Sequence, residues 1–530
     1  LLTVSSELCR TESPMPTTTT THRSEARIPF WIYWATVSAL YAAVFVTIEF
    51  SDFPISGPKG LAMLITQWGI ASLAAAGLIG LLTINRYVAA AGLPLLAGAS
   101  AAAAYFKLTM AASLTPAIVE LWAVTGMATS MDLVSLQLVA WVTAAVAAAA
   151  GLAAVRWKMV DNRFRRTVPL VCAVALVSLS KVPRCENAIY ARIPYSFYSS
   201  VKGYLEMRKV AAEERTTFDG MAAYCSADTI DVVVVIGESL RADHLPMNGY
   251  GRQTMPRLSA EANLTNLPHV YTHPFHTYTS VPFMMTRASA ASEADEERAY
   301  NEQSFITLFK NAGFSTYWLS NQEDSETYTY FMHEADSLIR NNPSINLYNF
   351  TPHLDTELLP HFDRILASAG SPRRLFVIHS IGSHWWYGCH FDAATDAVFQ
   401  PIAQSKVLSD NSLEQMTNSY DNTILATDRF ISRLIDRLRD RNCILFYQSD
   451  HGESLGEEGR LLHGEDAPEL HYPAAFVWFS DSYASRNAEK IGNMQDRRSE
   501  NLTTEYLFHS VIDGACIATE AADHSQSIFR

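Results

Sequence analysis

Three apolar runs of this chain end in side chains that could hold a metal ion. The runs and the residues that close them are DVVVVIG at 231–237 before Glu238-Ser239, RLFVIHSIG at 374–382 before Ser383-His384, and CILFYQSD at 443–450, which ends in Ser449-Asp450 and precedes His451. Carboxylate oxygens and imidazole nitrogens are zinc ligands, and manganese accepts the same donors. A hydrophobic core does not require Glu, His or Asp side chains at the ends of these runs. The strand ends therefore predict a metal site made from Glu, His and Asp-His.

A cluster of hydroxyl groups could supply a nucleophile. The segment THPFHTYTSVPFMMTRA at 272–288 is rich in Thr and Ser and then takes on helical spacing. Most such hydroxyls only cap a helix. However, a helix N-terminus also favours a bound phosphate, and a metal-bound hydroxyl is an activated nucleophile. Ser239 is a weaker candidate because GESLR lacks the second glycine of a G-x-S-x-G elbow, so we interpret it as a turn or helix-capping hydroxyl.

The segments around these residues alternate between strand and helix patterns. Further short apolar runs lie at 315–321 and 474–481, and helical spacing is found at 304–314, 354–370 and 412–442. Continuous apolar runs fit strands that are buried on both faces. Their alternation with helices predicts an α/β domain with a mostly parallel sheet, whose ligands bind beyond the carboxyl ends of the strands.

The first third of the chain is strongly apolar. A transmembrane helix needs about 20 apolar residues. Candidate spans of about that length are 29–49, 61–83, 87–105, 132–155 and 167–184. Basic residues cluster before the first span and between the fourth and fifth, which predicts a cytoplasmic N-terminus and an external C-terminal domain. The segment 112–126 is either an interfacial helix or a loop helix.

These patterns predict four regions in a chain of 530 residues with a net charge of −14. They are a disordered cytoplasmic tail at 1–27, a transmembrane domain at 28–184, interfacial linker helices at 185–228 and a catalytic domain at 229–530. We expect a membrane-embedded protein with no nucleic-acid partner. The seven cysteines are an odd number, and their pairing does not follow from the sequence.

Several motifs together carry a resemblance to a known family. They are GESLRADHLPMNGYGRQTMPRL at 237–258, HTYTSVPFMMTRA at 276–288, WLSNQ at 318–322, IGSHWWY at 381–387, SYDNTILATDRFISRLIDRL at 419–438, SDHGESLGEEGRLLHG at 449–464 and LFHS at 507–510. Nearly the whole chain resembles the membrane-bound phosphoethanolamine transferases, which belong to the alkaline phosphatase and sulfatase superfamily.

The resemblance implies a site and a reaction. Glu238, Asp450 and His451 match zinc ligands, and a threonine of 276–288 matches the nucleophile that also contacts the metal. His384 and His463 match histidines that bind the substrate phosphate or a second metal. The implied reaction moves phosphoethanolamine from phosphatidylethanolamine to lipid A or another envelope glycan through a phospho-threonine. The implied location is the bacterial inner membrane, with a periplasmic catalytic domain.

The threonine motif departs from the family pattern. Thr277-Tyr278-Thr279 runs directly into Ser280-Val281-Pro282, two residues short of that pattern. Counting from the first threonine selects Thr277, and Thr279 is the alternative. The other functions that we consider are a phosphoglycerol transferase, a sulfatase, or a catalytically silent membrane protein of the same fold. A sulfatase would need a C-x-P-x-R type motif, which the sequence lacks.

Overall fold

A computed structural model describes residues 27–530 except 54, 56, 111–112, 125–134, 212–214, 293–294, 326, 346–350, 369, 406–407 and 464–465. The predicted tail lies, apart from Arg27, outside the described residues. Apolar helices come first, and an α/β domain follows, as the sequence predicts. The helices of the first part are α1 (Phe30–Val46), α2 (Gly57–Ile84), α3 (Arg86–Met110), α4 (Pro116–Val124), α5 (Leu136–Lys158), α6 (Thr167–Val177), α7 (Pro183–Tyr190) and α8 (Ser196–Ala211).

The described helices offer fewer straight membrane spans than the five predicted. Only α2, α3 and α5 are long and apolar enough to cross a membrane, and α1 is apolar but shorter. The predicted span at 167–184 is corrected to a bent pair, in which α6 with its extension to Lys181 meets α7 at 93°. Val182 is extended because Pro183 follows it, and a residue before proline avoids the helical region. The described chain thus has three spans, or four if the bent pair counts as one.

Small residues let the membrane helices approach each other closely. A Cβ atom at Gly77 of α2 would lie 2.7 Å from the backbone nitrogen of Val177, and one at Gly80 would lie 2.5 Å from the Trp34 ring. Close backbone approach is the usual basis of helix packing in lipid. Outside this bundle, Pro116 of α4 packs against Gly203 of α8, so the segment predicted as an interfacial or loop helix contacts the linker helices.

The α/β domain is built on one seven-stranded sheet, whose strands are β2 (Ile230–Gly237), β3 (Leu264–Asn266), β5 (Ser315–Ser320), β6 (Ser337–Arg340), β7 (Arg373–His379), β8 (Cys443–Ser449) and β11 (Ala475–Phe479). Their order across the sheet is β3-β11-β8-β2-β7-β5-β6. Within this sheet, only β11 runs in the direction opposite to the other strands. The pairing of β2 with β8 sets Gly237 opposite Ser449, and its pairing with β7 sets Ile236 opposite His379. The prediction of a mostly parallel sheet is confirmed.

The two faces of the sheet bury separate cores. Side chains alternate along a strand, so Val232 and Val234 face one core and Val233 and Val235 face the other. The first core is covered by α9 (Thr277–Met285), α11 (Phe305–Asn311), α12 (Thr329–Glu334) and α17 (Tyr506–Gly514), and the second by α13 (Leu359–Ala367) and α14 (Leu413–Leu438). A capping box between Ser412 and Gln415 fixes the start of α14.

The remaining elements are short. They are the helices α10 (Glu296–Asn301), α15 (Asp481–Arg486) and α16 (Ala488–Arg497), and the strands β1 (Ala223–Cys225), β4 (Val270–Tyr271), β9 (Ser454–Leu455), β10 (Leu461–Leu462), β12 (Leu502–Thr503) and β13 (Ile517–Thr519). Strand β1 pairs with β13, so the end of the predicted linker is joined to the C-terminal domain. The predicted helix at 354–370 is shorter, because its first residues, Asp355–Leu358, form a 3-10 turn.

Candidate metal and phosphoryl-transfer site

Three of the predicted ligands meet at the carboxyl end of the central strands. Glu238 follows β2, and Asp450 and His451 follow the neighbouring strand β8. The Nε2 atom of His451 lies 3.5 Å from Oε1 of Glu238 and 3.4 Å from Oδ2 of Asp450. All three side chains are fully buried. The adjacency of β2 and β8 in the sheet thus brings together residues that are 212 and 213 positions apart in the sequence.

The donor atoms of this cluster suit a metal ion. Oδ1 of Asp450 accepts hydrogen bonds from the backbone N–H groups of Ser239 and His451, whereas its Oδ2 has no hydrogen-bond partner in the described part of the chain. Nδ1 of His451 lies 2.7 Å from the carbonyl oxygen of Gly452. A donating Nδ1–H there leaves the Nε2 lone pair directed at the two carboxylates. One nitrogen and two carboxylate oxygens thus lie close enough together to hold a metal ion, and zinc and manganese both accept such donors.

The electrostatics of the cluster also favour a cation. Burial, reinforced by the neighbouring Asp450 carboxylate, raises the pKa of Glu238 well above its usual range. Burial lowers the pKa of His451 to about 4, so its imidazole is neutral and able to act as a ligand near pH 7. Two buried carboxylates side by side are costly without a compensating positive charge.

Thr277 is the threonine that reaches the cluster. It is the first residue of α9, and its hydroxyl donates a 2.9 Å hydrogen bond to Oε2 of Glu238 and lies 3.4 Å from Nε2 of His451. The hydroxyl of Thr279 instead donates to the backbone carbonyl of His276. Residues two positions apart on a helix point about 200° apart, so only one of the two threonines can face the ligands. Thr277 is half-buried and therefore open to a ligand.

The turn after β2 holds Glu238 in place. Ser239 has a φ of +55°, and its hydroxyl donates to Oε1 of Glu238 at 2.8 Å. Ser239 is thus a turn residue, one of the two roles expected from the sequence. The Tyr420 hydroxyl donates to the Ser239 carbonyl and accepts from the backbone N–H of Arg241. Tyr420, to which the sequence assigns no role, therefore fixes this turn.

Two glycines are needed because the backbone approaches closely. A Cβ atom at Gly382, where φ is +48°, would lie 2.9 Å from the Glu238 carbonyl oxygen. A Cβ atom at Gly452 would lie 2.1 Å from the carbonyl oxygen of Glu469. Gly452 is therefore needed for a steric reason, because any side chain there would collide with the Glu469 backbone.

His463 and His384 lie next to the ligand cluster. The ring of His463 is 4.6 Å from that of His451 and 6.4 Å from that of His384. Burial opposes protonation of His463, yet the Glu453 carboxylate, 3.4 Å from Nδ1, raises its pKa. Burial lowers the pKa of His384 to about 4. Both histidines predicted to bind phosphate or a second metal are thus at the site.

The other histidines near the motifs have varied surroundings. His244 bonds to Asp421 at 2.8 Å, and His379 is buried between the rings of Trp318 and Tyr328. His276 differs, because its ring lies 5.6 Å from that of His463 and it directly precedes Thr277. It therefore borders the site.

Gln322 is a site residue that the sequence interpretation missed. Its Nε2 donates to Oε2 of Glu238 at 2.8 Å and to the carbonyl of Ser380 at 3.1 Å. Gln322 follows β5 in the WLSNQ motif, at the same edge of the sheet as the other strand ends. Ligand-binding residues in such sheets lie beyond the carboxyl ends of the parallel strands, and applying this rule to β5 as well would have identified Gln322.

Comparison with known sequences places the C-terminal domain in a family. Residues 230–515, more than half of the chain, match the Sulfatase family. The phosphatidylethanolamine transferase Mcr-2 of Escherichia coli is 31% identical over an alignment of 267 residues, and the match covers 47% of this chain and 49% of Mcr-2. The Kdo(2)-lipid A phosphoethanolamine 7''-transferase of E. coli K12 is 34% identical over 271 residues, covering 50% of this chain and 46% of that protein. The chain spans about half the length of the curated relatives that it matches.

Solved structures share the fold. The integral membrane lipooligosaccharide phosphoethanolamine transferase A of Neisseria meningitidis matches 94% of this chain and 98% of its own, with a TM-score of 0.53 and 22% identity. The periplasmic domain of EptC from E. coli, in complex with zinc, matches 58% of this chain and 89% of its own, with a TM-score of 0.52 and 22% identity. The first of these includes the N-terminal helices, so the likeness extends over both parts of the chain.

Proposed function

The chain belongs to the Sulfatase family, and on that premise we propose that it is a membrane-anchored, metal-dependent phosphoethanolamine transferase. The observation that carries the proposal is the position of the Thr277 hydroxyl, 2.9 Å from Oε2 of Glu238 and 3.4 Å from Nε2 of His451. A hydroxyl that shares a buried ligand cluster with two carboxylates and an imidazole is poised as a nucleophile. Its place at the start of α9 suits an anionic substrate.

The metal would be held by Glu238, Asp450 and His451, with Thr277 completing the set. Zinc is our first choice and manganese the alternative, because both accept this combination of oxygen and nitrogen ligands. The related periplasmic domain of EptC forms a complex with zinc, which supports the choice. When bound, such an ion supplies a Lewis acid that stabilises negative charge on the threonine oxygen and on the phosphoryl group.

The first proposed step transfers the group to the enzyme. Oγ of Thr277 forms a bond to the phosphorus of phosphatidylethanolamine, and the bond from phosphorus to the diacylglycerol oxygen breaks. The hydroxyl proton, which already points at Oε2 of Glu238, passes to that carboxylate. The diacylglycerol oxygen takes a proton as it leaves, and His463, whose pKa Glu453 raises against the effect of burial, is placed beside His451 to donate it.

The second step would regenerate the enzyme. An oxygen of lipid A or another envelope glycan forms a bond to phosphorus and gives up its proton to His463, which lost one in the first step. The bond from phosphorus to Oγ of Thr277 breaks, and Oγ takes back the proton held by Glu238. His384 is placed to donate a hydrogen bond to a phosphoryl oxygen, and His463 can do so while it holds its proton. The names of the relatives support the donor, the transferred group and lipid A as acceptor. We propose the bacterial inner membrane as the location, with the N-terminus cytoplasmic and the catalytic domain periplasmic.

Two threonine variants test this function. The purified full-length protein is given phosphatidylethanolamine labelled on its headgroup, and diacylglycerol release and labelled protein are measured. Thr277→Ala should lose both, because the attacking oxygen is gone, and Thr279→Ala is the matched control that should retain them. Mass spectrometry of the wild-type protein should find the added group on the peptide containing Thr277. Wild-type rates for Thr277→Ala would refute the assignment of the nucleophile.

A further inference from the structure

Two buried histidines from different parts of the α/β domain lie in contact, and we call them the histidine pair. His353 precedes the 3-10 turn that leads into α13, and His390 follows a 3-10 turn in the loop after β7. Their ring centroids are 4.7 Å apart, and the ring planes meet at 78°. The backbone N–H of His353 donates to the Cys389 carbonyl at 3.0 Å and so holds the two loops together. Both histidine side chains are almost fully buried.

The hydrogen bonds of His353 leave one of its ring nitrogens available to a ligand. Nδ1 lies 3.0 Å from the Thr351 carbonyl oxygen, which can only accept a hydrogen bond, so Nδ1 carries the proton. Nε2 then bears a lone pair, and it is buried with no hydrogen-bond partner in the described part of the chain. Burial lowers the pKa of His353, so its imidazole is neutral near pH 7. A buried lone pair without a partner is costly, and a bound cation removes that cost.

Two other buried histidines lack this combination. Nδ1 of His509 accepts the backbone N–H of Asp523 at 3.0 Å, so its Nε2 carries the proton and cannot bind a cation. The ring of His379 packs between two aromatic rings rather than against another imidazole. The histidine pair, in contrast, brings a lone pair and a second imidazole together.

The spacing of the histidine pair suits a shared metal ion. Zinc lies about 2.0–2.1 Å from an imidazole nitrogen, so two imidazoles on one ion have ring centroids roughly 4.5–5.5 Å apart. The observed 4.7 Å falls within that range. A hydrogen bond from Nδ1–H to a backbone carbonyl, as at His353, also commonly supports a metal-binding imidazole, because it directs the other nitrogen at the ion.

A cavity gives the histidine pair access to ions and water. It has a volume of about 240 Å³, and His390 is part of its lining. The lining also carries three carboxylates and two guanidinium groups, which belong to Asp355, Asp392, Asp396, Arg429 and Arg433. The Glu357 carboxylate adds a further negative charge that acts on His353. The charges around the pair are therefore negative in sum, which favours a cation over an anion.

The histidine pair is separate from the ligand cluster at the ends of β2 and β8. Ring centroids are 6.3 Å apart from His390 to His384, 6.4 Å from His384 to His463, and 4.6 Å from His463 to His451. Two further imidazoles thus lie between the pair and His451 along this row. An ion at the pair therefore shares no ligand with the cluster.

We propose that the histidine pair binds a divalent transition-metal ion, zinc or copper, at a site of its own. Imidazole nitrogen is a ligand that both metals accept, and water from the cavity completes the coordination. The ion cross-links the loop before α13 to the loop that carries His384, and so it stabilises the position of that histidine. The proposal goes beyond the proposed function, since it holds whether or not the chain transfers phosphoethanolamine.

A zinc count tests the site. The purified full-length protein is stripped of metal and titrated with Zn²⁺ in competition with a chromophoric chelator. The wild-type protein should bind one equivalent more than His353→Asn, in which the amide keeps a donor for the Thr351 carbonyl but Nε2 is gone. His390→Asn should lose the same equivalent. The double variant should lose one equivalent rather than two, because both histidines bind one ion.

Matched variants separate this site from the others. His269→Asn makes the same change at an exposed histidine, and it should leave the zinc count unchanged. His384→Ala removes a residue of the site already described. Adding His353→Asn to His384→Ala should lower the zinc count by one further equivalent, because the two changes act on different ions.

A direct measurement locates the ion. Crystals of the full-length wild-type protein grown with ZnCl₂ should show an anomalous peak between the rings of His353 and His390 at the zinc absorption edge. This measurement decides the question even if the variants fail to fold.

Three results would overturn the site. They are equal zinc counts in the wild type and His353→Asn, no further loss when His353→Asn is added to His384→Ala, and crystals with zinc at the ligand cluster but none between the two rings. None of these readouts uses diacylglycerol release, so a failure of the proposed function would leave the test intact.

Discussion

Replacement of Gln322 by Met tests whether a neighbouring amide controls the metal site. Gln322 donates from one nitrogen to Glu238 at 2.8 Å and to the Ser380 carbonyl at 3.1 Å, and it is almost fully buried. Methionine has a similar length and no strong donor, so Gln322→Met removes both bonds with little change in volume. We expect zinc affinity to fall while the fold is retained.

The magnitude follows from the two bonds. A hydrogen bond to a charged group contributes about 1.5–3 kcal/mol, and each 1.4 kcal/mol corresponds to about a tenfold change in affinity. Loss of the bond that orients Glu238 should therefore weaken zinc binding about 10- to 100-fold, the range typical of residues that support metal ligands. The Ser380 carbonyl also loses a donor, which should lower the melting temperature by a few degrees.

Zinc affinity is measured by competition with a chromophoric chelator at pH 7, together with thermal melting. The matched control is Gln303→Met, which removes an acceptor for the Thr217 hydroxyl and the Phe218 backbone N–H at a position away from the ligands. It should lower the melting temperature and leave zinc affinity unchanged. Wild-type zinc affinity in Gln322→Met would refute the inference that this amide positions Glu238.

Two further predictions concern stability. Gly382→Ala should lower the melting temperature by several degrees, because φ is +48° and the new methyl group would meet the Glu238 carbonyl at 2.9 Å, whereas Gly251→Ala, with no atom nearby, should not. Burial raises the pKa of Glu334 from 4.5 to about 7, so the folded state binds a proton more tightly than the unfolded state. Its contribution to stability is therefore present below about pH 4.5 and lost as the pH rises to about 7. Glu334→Gln should reduce the dependence of the melting temperature on pH across this window, and an unchanged profile would contradict the assignment.

The cluster of Glu238, Asp450 and His451 can be predicted from the sequence because each of these residues lies at the end of a strongly apolar, strand-like run. Glu238 follows the run of valines in β2, and Asp450-His451 follow the apolar run of β8. Parallel strands carry their carboxyl ends to one edge, so no long-range contact has to be known. Whether Thr277 or Thr279 faces the cluster is harder to predict from the sequence, since it depends on the residue at which α9 begins.

Features that depend on tertiary contacts cannot be predicted in the same way. Strands β3 and β6 have only three and four residues, too few for a periodic pattern to stand out. The bend before α7 is marked by Pro183, but the apolar composition of that span favours a straight helix and outweighs this signal. The close approach of Gly452 to the Glu469 carbonyl is visible only once both loops have folded.

The pairing of Gly237 with Ser449 has a consequence for how the domain reaches its native state. Side chains on a strand alternate between faces, so a slip of one residue between β2 and β8 would displace the groups at the end of one strand relative to those of the other. Glu238 would then no longer meet Asp450 and His451. A metal ion bound by these three residues, as proposed, would therefore stabilise the correct strand alignment relative to every shifted one. The proposed ion would thus stabilise the observed pairing of β2 with β8 in addition to taking part in the reaction.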